Sequence, residues 1–124
     1  MEKQKISSYQ DLIVWQKAKD FVVLVYRATS TFPQVELYGL TSQLRRAAVS
    51  VPSNIAEGFR RSGKKEKVQF LRVAYGSGAE LETQLIIAHE LGYLIVGDYT
   101  KLATALAEVM KMLNTVIGQF EQRR

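Results

Sequence analysis

Cysteine is absent from this chain, which excludes disulfide staples and thiolate metal sites together. The absence accords with a reducing compartment. Histidine occurs once, at His89, so neither an HxxxH pair nor the repeated ExxH motif of a di-metal bundle can be assembled. Proline is limited to Pro33 and Pro52, glycine is sparse, and there is no low-complexity segment or internal repeat. The longest aliphatic–aromatic run, residues 21–26, is far short of the roughly 20 residues a membrane span requires. The opening residues, MEKQKISSYQ, are polar and lack the apolar core of a secretory signal. Together these absences lead to the expectation of a soluble, cytoplasmic protein without a membrane partner.

What the chain does contain is helical periodicity. Its 124 residues are enough for one domain with its own core, and 47% of them are hydrophobic. The first segment, about residues 11–29, places Trp15, Ala18, Val22, Val25 and Thr29 on one face, flanked by Val14 and Phe21. Pro33 ends it, because proline disfavours helix in the residue before it. In the second segment, about 38–62, Leu40, Leu44, Ala47, Ala48, Val51, Ile55 and Phe59 share an arc of about 120°. Pro52 falls inside this pattern, yet the apolar phase runs through it unchanged, which predicts a kink rather than a break.

A turn at Ser62-Gly63 leads to the third segment, about 64–91, with Phe70, Leu71, Ala74, Leu81, Leu85 and Ala88 on its main face. Gly92 is placed to cap it. Asp98 is expected to N-cap the fourth segment, about 99–122, whose stripe is Leu102, Leu106, Val109, Leu113, Val116, Ile117 and Phe120. Four long helices with short links predict an all-α fold, an antiparallel up-down-up-down four-helix bundle forming one domain over residues 1–124.

Two helices carry more apolar surface than such a bundle consumes. Ile13, Val23 and Leu24 lie off the main face of the first, and Val68, Tyr75, Ala79 and Ile86 form a second stripe on the third. Either the buried arcs are wider than an ideal wheel draws them, or copies of the chain meet through helices one and three as a homo-oligomer.

Signals for catalysis are weak. His89 falls at the edge of the helix-three core, where a structural role explains it. Glu80 and Glu82 stand about 200° apart around a helix and cannot act on one substrate atom. Gly76-Ser77-Gly78 opens like a phosphate loop, but Leu81 occupies the third glycine position and no strand precedes it, so close helix packing is the better explanation. Ser50 and Ser53 lack a GxSxG context. No catalytic residue, cofactor or metal site is expected, and the chain reads as no enzyme.

The charge is distributed unevenly. Residues 38–67 hold seven of the seventeen basic residues, Arg45, Arg46, Arg60, Arg61, Lys64, Lys65 and Lys67, against only Glu57 and Glu66. That balance of +5 equals the formal net charge of the whole chain. Arg46, Arg60 and Arg61 lie opposite the apolar arc of the second helix with Ser50 and Ser53, and Arg45 sits on its flank. Arginine forks and serine hydroxyls at helical spacing suit phosphate oxygens. The alternative is a solvated face, or arginines held by glutamates within the bundle or across subunits. No RRM, KH, zinc-finger or helix-turn-helix signature indicates base-specific readout.

Three stretches carry a family likeness: DLIVWQKA at 11–18, YGLTSQLRRAAVSVPSNIAEGF at 38–59 and FLRVAYGSGAELETQL at 70–85. The chain closely resembles the four-helix-bundle family of 23S rRNA intervening-sequence proteins, also called S23 ribosomal proteins, over roughly residues 9–94. The fourth helix agrees in character only. The resemblance implies a ring-like homo-oligomer, commonly a pentamer, with no established catalytic activity. It also implies a relation to the accessory variability protein of diversity-generating retroelements, a basic pentamer that binds nucleic acid and a reverse transcriptase. Arg45, Arg46, Arg60 and Lys65 match positions typically basic in the family, whereas Ser62-Gly63 departs from them. The leading expectation is therefore a non-enzymatic, oligomeric binder of nucleic acid, RNA in preference to DNA, with little sequence specificity. The alternative is an adaptor that recruits a protein such as a reverse transcriptase.

Overall fold

The computed structural model describes residues 6–121. Four helices account for most of them: α1 (Ile13–Thr29), α2 (Leu40–Arg60), α3 (Lys64–Glu90) and α4 (Val96–Glu121). Short 3-10 turns at Tyr9–Asp11 and Gln34–Glu36 precede α1 and α2. Each helix packs against two others, α1 against α2 and α4, and α3 against α2 and α4, with no close backbone approach between the diagonal pairs. Successive helices are thus neighbours joined by short links and run antiparallel, so the predicted all-α four-helix bundle is the fold observed.

Along the axis of this square lie Leu44, Ala48, Ala74, Leu81, Ala88 and Leu113, all fully buried, with Phe21, Val25, Ile55, Leu106 and Ile117 beside them. The helix-one face is rotated from the ideal-wheel expectation. Val14 and Phe21 are buried, whereas Trp15 and Val22 are only half-buried. The reason is that α1 has two neighbours, so its buried arc is centred between α2 and α4. Phe59 and Phe70, placed in the core by periodicity, are likewise half-buried, because they lie at the bundle end.

Pro52 sits inside an uninterrupted α2 and is itself buried. It lacks the N–H that would bond the Ala48 carbonyl, and the surrounding apolar packing holds the helix through that gap. Gly92 adopts φ of 80° and closes α3 as a Schellman cap. The Gly92 N–H donates to the His89 carbonyl (3.0 Å) and the Tyr93 N–H to the Ala88 carbonyl (2.9 Å).

The start of α4 differs from expectation. It begins at Val96, and the Tyr99 N–H already donates to the Ile95 carbonyl (2.9 Å), so Asp98 lies in the first turn and is not the N-cap. A carboxylate there still complements the positive end of the helix dipole. The predicted end at Gln122 lies outside the described residues.

The glycine pair also divides. A Cβ on buried Gly78 would collide with the Met110 side chain, so Gly78 permits the close approach of α3 and α4. Gly76 faces open space and has no such role, because it lies on the outward side of the same turn.

Polar contacts tie the ends together. Glu36 accepts from the Leu40 N–H through Oε1 (3.1 Å) and from the Tyr93 hydroxyl through Oε2 (2.9 Å), which joins the α1–α2 link to the α3–α4 link. At the opposite end, Ser8 and Asp11 form a capping box on the first 3-10 turn. The Asp11 carboxylate accepts from the backbone N–H groups of Ser7 (2.9 Å) and Ser8 (3.1 Å) and from the Ser7 hydroxyl (3.0 Å). Those bonds favour its charged form and lower its pKa from 3.8, the Ser7 backbone bond contributing most.

Because the folded pKa is depressed, the carboxylate's contribution is complete above pH 3.8 and is lost as pH falls through the lowered value. The turn carries Tyr9, whose ring stands edge-on to Trp15 at 5.2 Å. Acidification is therefore expected to change the emission of this single tryptophan below pH 3.8, and Asp11→Asn is expected to lack that titration step.

Candidate nucleic-acid interface

The seven basic residues singled out by sequence occupy three different environments. Arg45 is drawn inward. Its Nε donates to the Thr29 hydroxyl (2.9 Å), Nη2 reaches the Tyr26 carbonyl (3.4 Å), and the guanidinium lies 4.6 Å from the Tyr26 ring centroid. Thr29 also donates to the Val25 carbonyl (2.8 Å), so Arg45 fastens α2 to the C-terminal turn of α1. A cation beside those terminal carbonyls is electrostatically favoured.

Lys67 is similarly committed. Its Nζ donates to the Phe59 carbonyl at 2.8 Å and approaches the Gly58 carbonyl at 3.4 Å, capping α2 from the first turns of α3. Both cations help hold the bundle, a role the wheel could not show because their partners, carbonyls and the Thr29 hydroxyl, belong to another helix.

Arg60, Arg61, Lys64 and Lys65 are exposed and gather where α2 ends and α3 begins. Arg61 forms an exposed pair with Glu57 (3.2 Å) and lies 4.9 Å from the Phe70 ring centroid. Arg60 stands 5.4 Å from the Tyr9 ring centroid. Arg60, Lys64 and Lys65 have no carboxylate partner among the described residues. Arg46 is exposed on the same side of α2, 14 positions earlier and hence about 21 Å away along the axis. The +5 segment is therefore one dense basic end plus a distant outlier.

The two serines behave differently from each other. Ser50 shares a 2.8 Å hydroxyl–hydroxyl bond with Ser77 of α3, and the Asn54 amide donates to the Ser50 carbonyl and hydroxyl (2.8 and 3.0 Å). That network faces the α2–α3 seam. Ser53 remains exposed.

His89 has the structural role expected of it: Nδ1–H donates to the Leu94 carbonyl (2.9 Å) and the ring stacks on Tyr99 at 4.7 Å. Among the described residues no three of His, Cys, Asp or Glu come together in a metal-binding group. No helix among them is long and apolar enough to cross a membrane.

Sequence reasoning did not place Tyr9 and Phe70 at the basic end. Tyr9 falls in the polar lead before the first helix, and periodicity places Phe70 in the core. The available signal is aromatic residues close to a bundle end that also carries a run of arginines and lysines.

These features define a small antiparallel helical bundle with an open basic end. The chain belongs to the family of 23S rRNA-intervening sequence proteins, whose pattern it matches over residues 10–115. Its structure is similar to a crystal structure from Bacteroides thetaiotaomicron VPI-5482, described as a protein with unknown function from the S23 ribosomal protein family. The two share 20% identity and a TM-score of 0.77, covering 85% of this chain and 98% of that one. At that identity the likeness establishes the common fold. No functionally curated protein matches the chain.

Proposed function

We propose that this protein is a non-enzymatic nucleic-acid-binding bundle that uses its basic end to hold phosphates, RNA in preference to DNA. The observation that supports this reading is the clustering of Arg60, Arg61, Lys64 and Lys65, all exposed, over one inter-helix turn. Arg61 alone among them has a carboxylate partner, and that exposed pair with Glu57 can exchange for a phosphate at little cost. Arg46 extends the surface along α2. Contacts of this kind neutralise phosphates without reading bases, so affinity follows counterion release.

The test is a titration of fluorescent RNA at about 50 and 200 mM salt. Four phosphate contacts on a single strand give a slope near −2.8 and an affinity loss of about 50-fold across that interval. Binding that keeps its affinity across the interval would refute the proposal.

Self-assembly forms part of the same proposal. Val23 on α1 and Tyr75 and Ile86 on α3 are 42%, 39% and 46% exposed, and Ile13 is 59% exposed. Leu24 and Val68, from the same predicted stripes, instead pack against the core. We expect copies of the chain to cover the exposed set in a ring, a pentamer being the expected form, which repeats the basic end and raises avidity. Sedimentation equilibrium at micromolar concentration is expected to give a multiple of 14.0 kDa, and a monomer would remove this part.

The same apolar surface favours a second reading, an adaptor for a protein partner such as a reverse transcriptase. A monomer that binds no RNA would favour it.

A further inference from the structure

We infer that the basic end holds an unpaired nucleobase as well as phosphates, so that its ligand is single-stranded nucleic acid; this rests on the phosphate-binding reading above. A hollow of about 500 Å³ opens beside Arg60, lined by Tyr9, Ser53, Asn54, Glu57 and Phe70. It is shallow and open to solvent, as a stacking surface for a base is.

The lining combines two aromatic rings with polar groups suited to a base edge. Both rings already carry arginine guanidinium groups, Tyr9 at 5.4 Å from Arg60 and Phe70 at 4.9 Å from Arg61. A flat cation held against an aromatic ring marks a surface on which a base can stack. Asn54 spends its amide N–H on Ser50, which fixes the side chain while its Oδ1 takes no hydrogen bond from a described residue. Ser53 is exposed at the rim, and Lys64 and Lys65 stand exposed in the first turn of α3, at the same end of the bundle. A base in the hollow would meet Tyr9 and Phe70, with its edge toward Ser53 and Asn54. Arg60, Lys64 and Lys65 would take the adjoining phosphates. A duplex hides its base faces and could use only the cations.

Tyr9 also provides the readout. Its ring is 5.2 Å from Trp15, the single tryptophan, which lines the neighbouring α1–α2 groove and not the hollow itself. The full chain is titrated with short oligo(U), oligo(dT), an abasic deoxy strand of equal length and a duplex of equal length, with Trp15 emission and fluorescence anisotropy recorded together. Base-bearing strands are expected to bind about tenfold more tightly than the abasic strand and to change Trp15 emission. Tyr9→Ala is expected to abolish that preference while binding of the abasic strand remains salt-steep, and Tyr9→Phe to retain it. Ser53→Leu, which narrows the hollow from an exposed position without removing a charge, is expected to act like Tyr9→Ala.

Equal binding of base-bearing and abasic strands, both salt-steep, would overturn the base site and leave the phosphate reading standing. A base preference that survives both Tyr9→Ala and Ser53→Leu would also overturn it. Absence of binding by all four probes at low salt would remove both readings.

Discussion

Replacing Arg60, Arg61, Lys64 and Lys65 together by glutamine is expected to weaken RNA binding about 100-fold at low salt and to flatten the salt slope by about 3. Helicity and oligomeric mass should be retained, because all four side chains are exposed and none is held by a buried group. The informative comparison is with Arg45→Gln and Lys67→Gln. Arg45 is bonded to Thr29, and Lys67 to the Phe59 carbonyl. Losing either is expected to lower stability by about 1 kcal/mol, the ordinary net worth of one such hydrogen bond, with a much smaller effect on RNA. Urea unfolding and anisotropy on the same three proteins separate the effects. If Arg45→Gln abolished binding without loss of stability while the fourfold variant bound normally, the contact surface would lie at the other end of α2.

Gly58→Leu is expected to destabilise the fold by about 3 kcal/mol and to disorganise the basic end with it. Gly58 is buried where α2 crosses α3, and a Cβ there would stand 3.2 Å from both the Lys67 carbonyl oxygen and the Phe70 Cβ. One neighbour is helix backbone, so it can yield only by moving α3. A leucine cannot be accommodated without separating the helices, which would pull Lys67 from the α2 carbonyls and Phe70 from the hollow. Gly58→Ala should remain within about 1 kcal/mol of the parent, because its gain in helix propensity, also about 1 kcal/mol, offsets a displacement of a few tenths of an ångström. Equilibrium urea unfolding of both variants checks the pair of values. A leucine variant as stable as the alanine one would show that the crossing has slack.

The helices and their inward faces were legible because periodicity is a local property and the bundle satisfies it helix by helix. Leu44, Ala48, Val51 and Ile55 on α2, and Leu102, Leu106, Val109, Leu113 and Ile117 on α4, are buried as their spacing requires. The apolar phase that continues across Pro52 marks it as lying inside the segment, and α2 is continuous there. The neighbours of Pro52 then supply the packing that tolerates the missing hydrogen bond.

Expectation and structure differ where something outside the helix decides the outcome, a neighbouring helix or the preceding loop. α1 turned toward Val14 and Phe21 because it lies between two partners, and α4 began at Val96 because the preceding loop let the Ile95 carbonyl accept the first bond. The sequence by itself determined a four-helix chain with its excess positive charge confined to residues 38–67. Only the tertiary structure decided which of those charges are open to a ligand. Arg45 and Lys67 are used on carbonyl and hydroxyl groups of neighbouring turns, whereas Arg60, beside Tyr9, and Lys64 and Lys65, exposed at the same end of the bundle, have no carboxylate partner among the described residues. A helical wheel records direction around one axis, and availability depends on what the adjacent helix presents in that direction.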